Sequence, residues 1–104
     1  MDADEIRTLL GDNIFERAKK YRKRIQQSTC TVNADGVRHI SAMVQGSGGS
    51  YYYTQAWLRE NGSFVSASCS CPYNQNGEGT YCKHIGALLL DDAEKPVLQK
   101  SGKP

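Results

Sequence analysis

Apolar residues in the first quarter of the chain recur at helical spacing. Ile6, Leu9 and Leu10 form a short apolar set, and Gly11 interrupts it. Asp12 is a suitable N-cap for a second helix, so residues 4–26 read as two helical segments. In the second, Ile14, Ala18, Tyr21 and Ile25 fall three or four residues apart and share one face. From residue 28 to residue 71 the period changes to two. Ile40, Ala42 and Val44 alternate with Ser41, Met43 and Gln45. Tyr51, Tyr53 and Trp57 share one parity, and Tyr52, Thr54, Ala56 and Leu58 share the other. Phe64, Val65 and Ala67 lead into Cys69. Asp35-Gly36 and Asn61-Gly62 are hairpin turn signals, and Gly46-Ser47-Gly48-Gly49-Ser50 is a looser connection. Four strands at this spacing predict a small curved antiparallel meander. A final apolar run, Lys83 to Asp92, predicts a helix with His84 and Leu88 on one face and Ile85 and Leu89 beside them, packed on the sheet. Gly86 weakens that helix and marks a close approach to the sheet. The fold class expected is α+β: an amino-terminal helical segment, a meander, and a finger that ends in a helix.

Composition changes at residue 93, where Glu94, Lys95 and Pro96 open a polar stretch that reads as tail or linker after a single domain over 1–92. Such a linker suits a segment of a longer protein. With 104 residues and 38% hydrophobic content the core is small, the size class in which a structural metal commonly supplements packing.

Candidate chemistry lies between the meander and the last helix. Cys69, Cys71, Cys82 and His84 fall within sixteen positions. Three soft thiolates and one imidazole are a full ligand set for one tetrahedral Zn2+. Cys69 and Cys71, two apart on a strand, point the same way. Pro72 then stops the ladder, and Tyr73 to Tyr81 reads as a polar loop that brings the chain back. Positions i and i+2 lie on nearly opposite sides of a helix, so Cys82 must sit at or before the first turn, with His84 inside it. Other readings of these residues exist. A Cys-x-Cys disulfide closes a strained ring, which disulfide geometry disfavours. A catalytic Cys82 with His84 as base is possible in principle, but no third orienting group is evident. Plain burial of cysteines is common. Ligand type and count favour zinc. Four protein ligands leave no open coordination position, so an enzyme is not expected. Cys30 reads as a small packed hydrophobe and His39 as a strand residue outside the ligand set.

The net charge of +2 excludes nothing, but six of the thirteen basic residues crowd into 17–24. Such a run is most often a solvated helix face, and it can also meet phosphates. If the partner is DNA, Lys19, Lys20, Lys23 and Arg24 are the expected contacts, with Lys83 secondary at the start of the last helix. The aromatics of 51–57 could stack on bases, although strand parity turns half of them inward. No secretory signal is evident in the acidic start, no stretch is long enough to cross a membrane, and thiols in such a chain suggest a reducing interior, hence cytoplasm or nucleoid; a monomer is expected.

The motif Cys-x-Cys-x(n)-Cys-x-His, with Cys69-Ser-Cys-Pro-Tyr73 and Cys82-Lys-His-Ile85 followed by Gly86-Ala-Leu-Leu-Leu90, resembles the SWIM zinc finger. Glu16-Arg17-Ala-Lys-Lys-Tyr21 and Val44-Gln-Gly-Ser47 extend the resemblance over residues 12–92, to the amino-terminal region of bacterial and archaeal proteins that carry a SWIM domain ahead of a Snf-type helicase-like ATPase. One departure is Gln26-Gln27-Ser28, where the resemblance leads one to expect relatives that often have a glycine after the basic stretch. The resemblance implies zinc binding, a ββα-like finger and a role in DNA or protein interaction, the alternative being a protein–protein module with no nucleic-acid role. It does not imply ATP hydrolysis, because no Gly-x-x-x-x-Gly-Lys-Ser/Thr loop is present.

Overall fold

The computed structural model describes residues 1–72 and 81–95. Its elements are α1 (Ala3–Leu10), α2 (Asp12–Tyr21), a 3-10 turn (Arg22–Arg24), β1 (Ile25–Val32), β2 (Arg38–Gln45), β3 (Tyr51–Leu58), β4 (Phe64–Cys69) and α3 (Lys83–Ala93). The strands pair antiparallel in the order β1-β2-β3-β4, the predicted meander. Turns at Gly36 and Gly62, both with φ near +80 to +90°, close two of the hairpins.

α1 is held by a capping box: Asp2 Oδ1 accepts from the Glu5 N–H at 2.9 Å, and the Asp2 N–H donates to Glu5 Oε1 at 3.0 Å. The break before α2 differs from the expectation. Gly11, not Asp12, is the N-cap, and Asp12 is the first helical residue. Gly11 takes φ +85°, donates its N–H to Arg7 O and accepts from the Phe15 N–H, so one residue ends α1 and starts α2. α2 also ends earlier than its periodicity suggests. Ile25 is a strand residue paired with Val44, because pairing on β2 gives a β-branched side chain more than one further helical turn would. The stripe therefore shifts: Phe15 and Ala18 are the buried residues of α2, while Ile14, Tyr21 and Ile25 are half-buried.

The three helices of the described residues lie on one face of the sheet. α3 packs on β3 and β2 on one side and on α1 and α2 on the other. It is buried nearly all round, from His84 through Leu90, as a helix between two layers must be. This placement corrects the reading of Gly86. A Cβ there would lie 2.6 Å from Ala18 Cβ and 2.6 Å from Leu10 Cδ1, so the close approach is to α1 and α2, not to the sheet. The core is one cluster built from Ile6, Leu10, Phe15, Ile40, Leu58, Ile85, Leu88 and Leu89 with the buried cysteines.

At the far end of the helix layer, Ala93 is still helical, and Glu94 forms a two-pronged pair with Arg22. Lys95 pairs with Asp91 at 3.2 Å. Residues 96–104 of the expected tail lie outside the described residues, as do residues 73–80 of the expected loop.

Candidate metal centre

Cys69 ends β4 opposite Thr54. Strand alternation turns it, with Thr54 and Ala56, toward the helices. Cys71 follows two positions on, aimed the same way and equally buried. Cys82 has extended backbone (φ −83°, ψ 169°) and is the N-cap of α3, with His84 in the first turn, as the i, i+2 geometry requires. The side chains converge: three Sγ atoms and one imidazole nitrogen lie within 4.8 Å of one another, and all four residues are buried.

The separations fit a tetrahedral metal. Bonds of about 2.3 Å to sulfur and about 2.0 Å to nitrogen place S···N pairs at about 3.6 Å. His84 Nδ1 lies 3.8 Å from Cys69 Sγ and 3.8 Å from Cys82 Sγ. Nδ1 is therefore the ligating nitrogen, and Nε2 faces away, buried and with no hydrogen-bond partner among the described residues. The ring is held between Tyr52 at 5.1 Å and Tyr21 at 5.4 Å. The cluster fits one structural zinc ion, bound through soft sulfur and imidazole donors.

The protonation pattern without metal agrees with a site built for a cation. A hydrogen bond from the Cys82 thiol holds the Cys69 thiol well below the usual range, against burial that would raise it. The same contact, aided by burial, drives Cys82 upward. Thr54, fully buried, brings its hydroxyl to 3.3 Å from Cys69 Sγ. Sequence reasoning passes over this outer contact, which orients a ligand. Its only signal is that Thr54 shares the inward parity of β3 and stands opposite the motif.

Cys30 and His39 are not in the cluster. Cys30 lies beside the Arg38 guanidinium, and His39 stacks on Trp57 at 4.8 Å and bonds Gln55 Oε1 at 2.9 Å on the outer sheet face. Tyr51 and Tyr53 are exposed on that same face, while Tyr52 turns inward to His84.

The basic residues separate into two groups. Lys19 pairs with Glu16 at 3.1 Å and stands over the Phe15 ring. Lys20, Lys23 and Arg24 are exposed. Arg24 donates to Gly46 O at 3.0 Å and lies over the Tyr21 ring at 5.0 Å, where Lys83 also lies, at 4.8 Å. Two of the predicted cations, one from the 3-10 turn and one from α3, thus meet at one aromatic beside the metal centre.

Residues 52–92 match the family model of the SWIM zinc finger, a span that contains all four ligands. No match is found among curated proteins or among solved structures.

Proposed function

We propose that this chain is a zinc-folded, non-catalytic interaction module that binds the phosphate backbone of DNA and recruits a larger DNA-processing protein, acting as a monomer in the cytoplasm. A link to helicase-like ATPases rests on the resemblance of residues 12–92 to regions that precede such enzymes. The metal centre supports a structural role, since four protein ligands complete a tetrahedron and leave no position for a reacting water. No helix of the described residues is long and apolar enough to cross a membrane.

One observation carries the nucleic-acid reading. Arg17, Lys20, Lys23, Arg24 and Lys83 have no carboxylate partner among the described residues, whereas Arg7, Lys19, Arg22, Arg38 and Lys95 each have one. Arg17, Lys20 and Arg24 succeed one another at i, i+3 and i+7, along one side of α2 and its 3-10 extension. A row of uncompensated cations on a rigid element suits phosphates, and phosphate contacts carry no base information, so binding is expected to be weak and largely independent of sequence.

The test is a titration of zinc-loaded protein against short single- and double-stranded DNA at two salt concentrations. Log affinity should fall with log salt by roughly one unit per phosphate contact. A variant with Lys20→Glu and Lys23→Glu should lose binding while keeping its zinc. If the wild type does not bind at low salt, the reading as a protein-interaction domain replaces this one. The exposed Tyr51, Tyr53 and Val65 of the outer sheet face and its edge favour that alternative.

A further inference from the structure

The helices cover one face of the sheet, and the face turned away from them has a composition of its own. Arg38, which is buried, is the only acidic, lysine or arginine residue in β1 to β4. Sheets open to water commonly carry charges that discourage misplaced pairing, and this face carries none. Its polar side chains are tied to one another across the strands. Thr29 Oγ1 lies 2.7 Å from Ser41 Oγ, His39 Nε2 lies 2.9 Å from Gln55 Oε1, and Gln55 Nε2 donates to Ser68 Oγ at 3.1 Å. Trp57 is stacked on His39. The platform is thus held in shape by its own contacts.

Tyr51 and Tyr53 stand out from this network. Both point outward on β3, 44% and 45% exposed, and neither ring has an aromatic or cationic partner among the described residues. Two residues on a strand span roughly 7 Å, twice the ~3.4 Å rise per base of a duplex strand. Bases must be splayed to meet both rings, and an unpaired strand splays at little cost. Every base has a π-face, so stacking on such rings tolerates any sequence.

Charge selects the occupant. The row Arg17, Lys20, Arg24 ends at the end of the sheet where these rings lie. Arg24 donates to Gly46 O in the β2–β3 turn at 3.0 Å, and Gln26, two residues on, donates to the Tyr51 hydroxyl at 3.3 Å. Lys23 and Arg24 are exposed at this rim without a carboxylate partner among the described residues, and the turn itself, residues 46–50, contains no carboxylate. Cations at the rim and uncharged aromatics on the face match a polyanion with unpaired bases. A protein partner finds less apolar surface here: Met43 is half-buried, and Val65 stands on the edge strand where the β3–β4 register shifts.

We infer that the outer sheet face binds single-stranded DNA, with successive unpaired bases stacked on Tyr51 and Tyr53 and the phosphates met by Lys23 and Arg24. The inference rests on the nucleic-acid reading and deepens it by naming the form of DNA. A labelled decathymidylate and a duplex of the same length, each titrated at low salt with the zinc-loaded chain, test it. The single strand should bind more tightly than the duplex although its charge density is lower, and the Tyr51 and Tyr53 ring-proton resonances should move upfield. Tyr51→Ala with Tyr53→Ala should weaken single-strand binding by roughly thirtyfold, the effect of two rings at the lower end of base–aromatic stacking, and leave duplex binding unchanged. Tyr51→Phe with Tyr53→Phe keeps both rings and should bind as the wild type does. A single strand bound no better than the duplex, or full affinity in the alanine pair, overturns the inference and spares the functional reading. An equal loss in the phenylalanine pair also overturns it, because the hydroxyls and not the ring faces would then make the contact. Binding of neither form overturns both readings and leaves the face to a protein partner.

Discussion

Arg38 and Asp92 meet as a two-pronged buried pair, Nη1 to Oδ1 at 3.0 Å and Nη2 to Oδ2 at 2.9 Å, tying the start of β2 to the last turn of α3. The hydrogen bonds that Arg38 donates to Asp92 push its pKa further up, so the guanidinium keeps its charge at every working pH. Removing the carboxylate leaves that charge buried without its counter-ion. Asp92→Asn should cost about 3–5 kcal/mol, while Arg38→Met with Asp92→Leu should stay within about 1–2 kcal/mol of the wild type or exceed it. Urea midpoints of the zinc-loaded variants check this. A mild effect of Asp92→Asn would show that the pair contributes little.

Gly86 and Ala18 set the distance between α3 and α2. Gly86→Ala gains about 1 kcal/mol of helix propensity. It also forces a methyl to within 2.6 Å of a Cβ that cannot move without its helix. Overpacking of this kind costs typically about 1–3 kcal/mol, so the variant should be less stable overall. Ala18→Gly in the same chain should recover part of the loss, and a double-mutant cycle measures the coupling. Strict additivity of the two changes would contradict the contact.

The ligand set is legible in the sequence because its geometry is local. Cys69 and Cys71 share a side by strand alternation, and Cys82 and His84 straddle a helix start, so spacing alone brings each pair to bear. The meander is legible for the same reason, through Asp35-Gly36, Asn61-Gly62 and a period of two. What stays hidden depends on partners far along the chain. Nothing near Ile25 announces that Val44 will claim it for a strand. Phe15 has no signal that sets it above Ile14 until α3 covers it. Gly86 reads as a close approach, but the sheet and the other helices are equal candidates until α3 is seen between them. Arg38 looks like any exposed strand cation, and only its distance to Asp92 says otherwise.

Gln27 lies at φ +55°, the only non-glycine residue with positive φ among those described, and the β1–β2 register shifts between Gln26 and Thr29. A side chain in the left-handed region costs roughly 1 kcal/mol that glycine avoids. The glycine expected after the basic stretch by resemblance would remove that strain. Gln27→Gly should raise stability by about 0.5–1 kcal/mol with zinc content unchanged. Equal or lower stability in urea melts would show that the bulge tolerates glutamine without strain.

Zinc loading should make stability steeply dependent on pH, and the sign follows from proton counts. In the loaded fold the three thiols are deprotonated, while in the unfolded chain they titrate near about 8.5. Below that value the unfolded state binds more protons, so stability rises with pH. The direction agrees with Cys69, whose thiol is already depressed in the fold by Cys82: its contribution is fully present above the unfolded pKa and is lost as pH falls. Cys82 is raised by the same contact without metal, so its proton must be displaced on loading. Three protons correspond to about 4 kcal/mol per pH unit between roughly pH 6.5 and 7.5 at fixed free zinc. Chemical denaturation across that interval measures the slope, and proton release into a weakly buffered solution on zinc addition gives an independent count. A slope near one proton, or unchanged stability after verified zinc removal, would show that the thiolates do not hold the metal together.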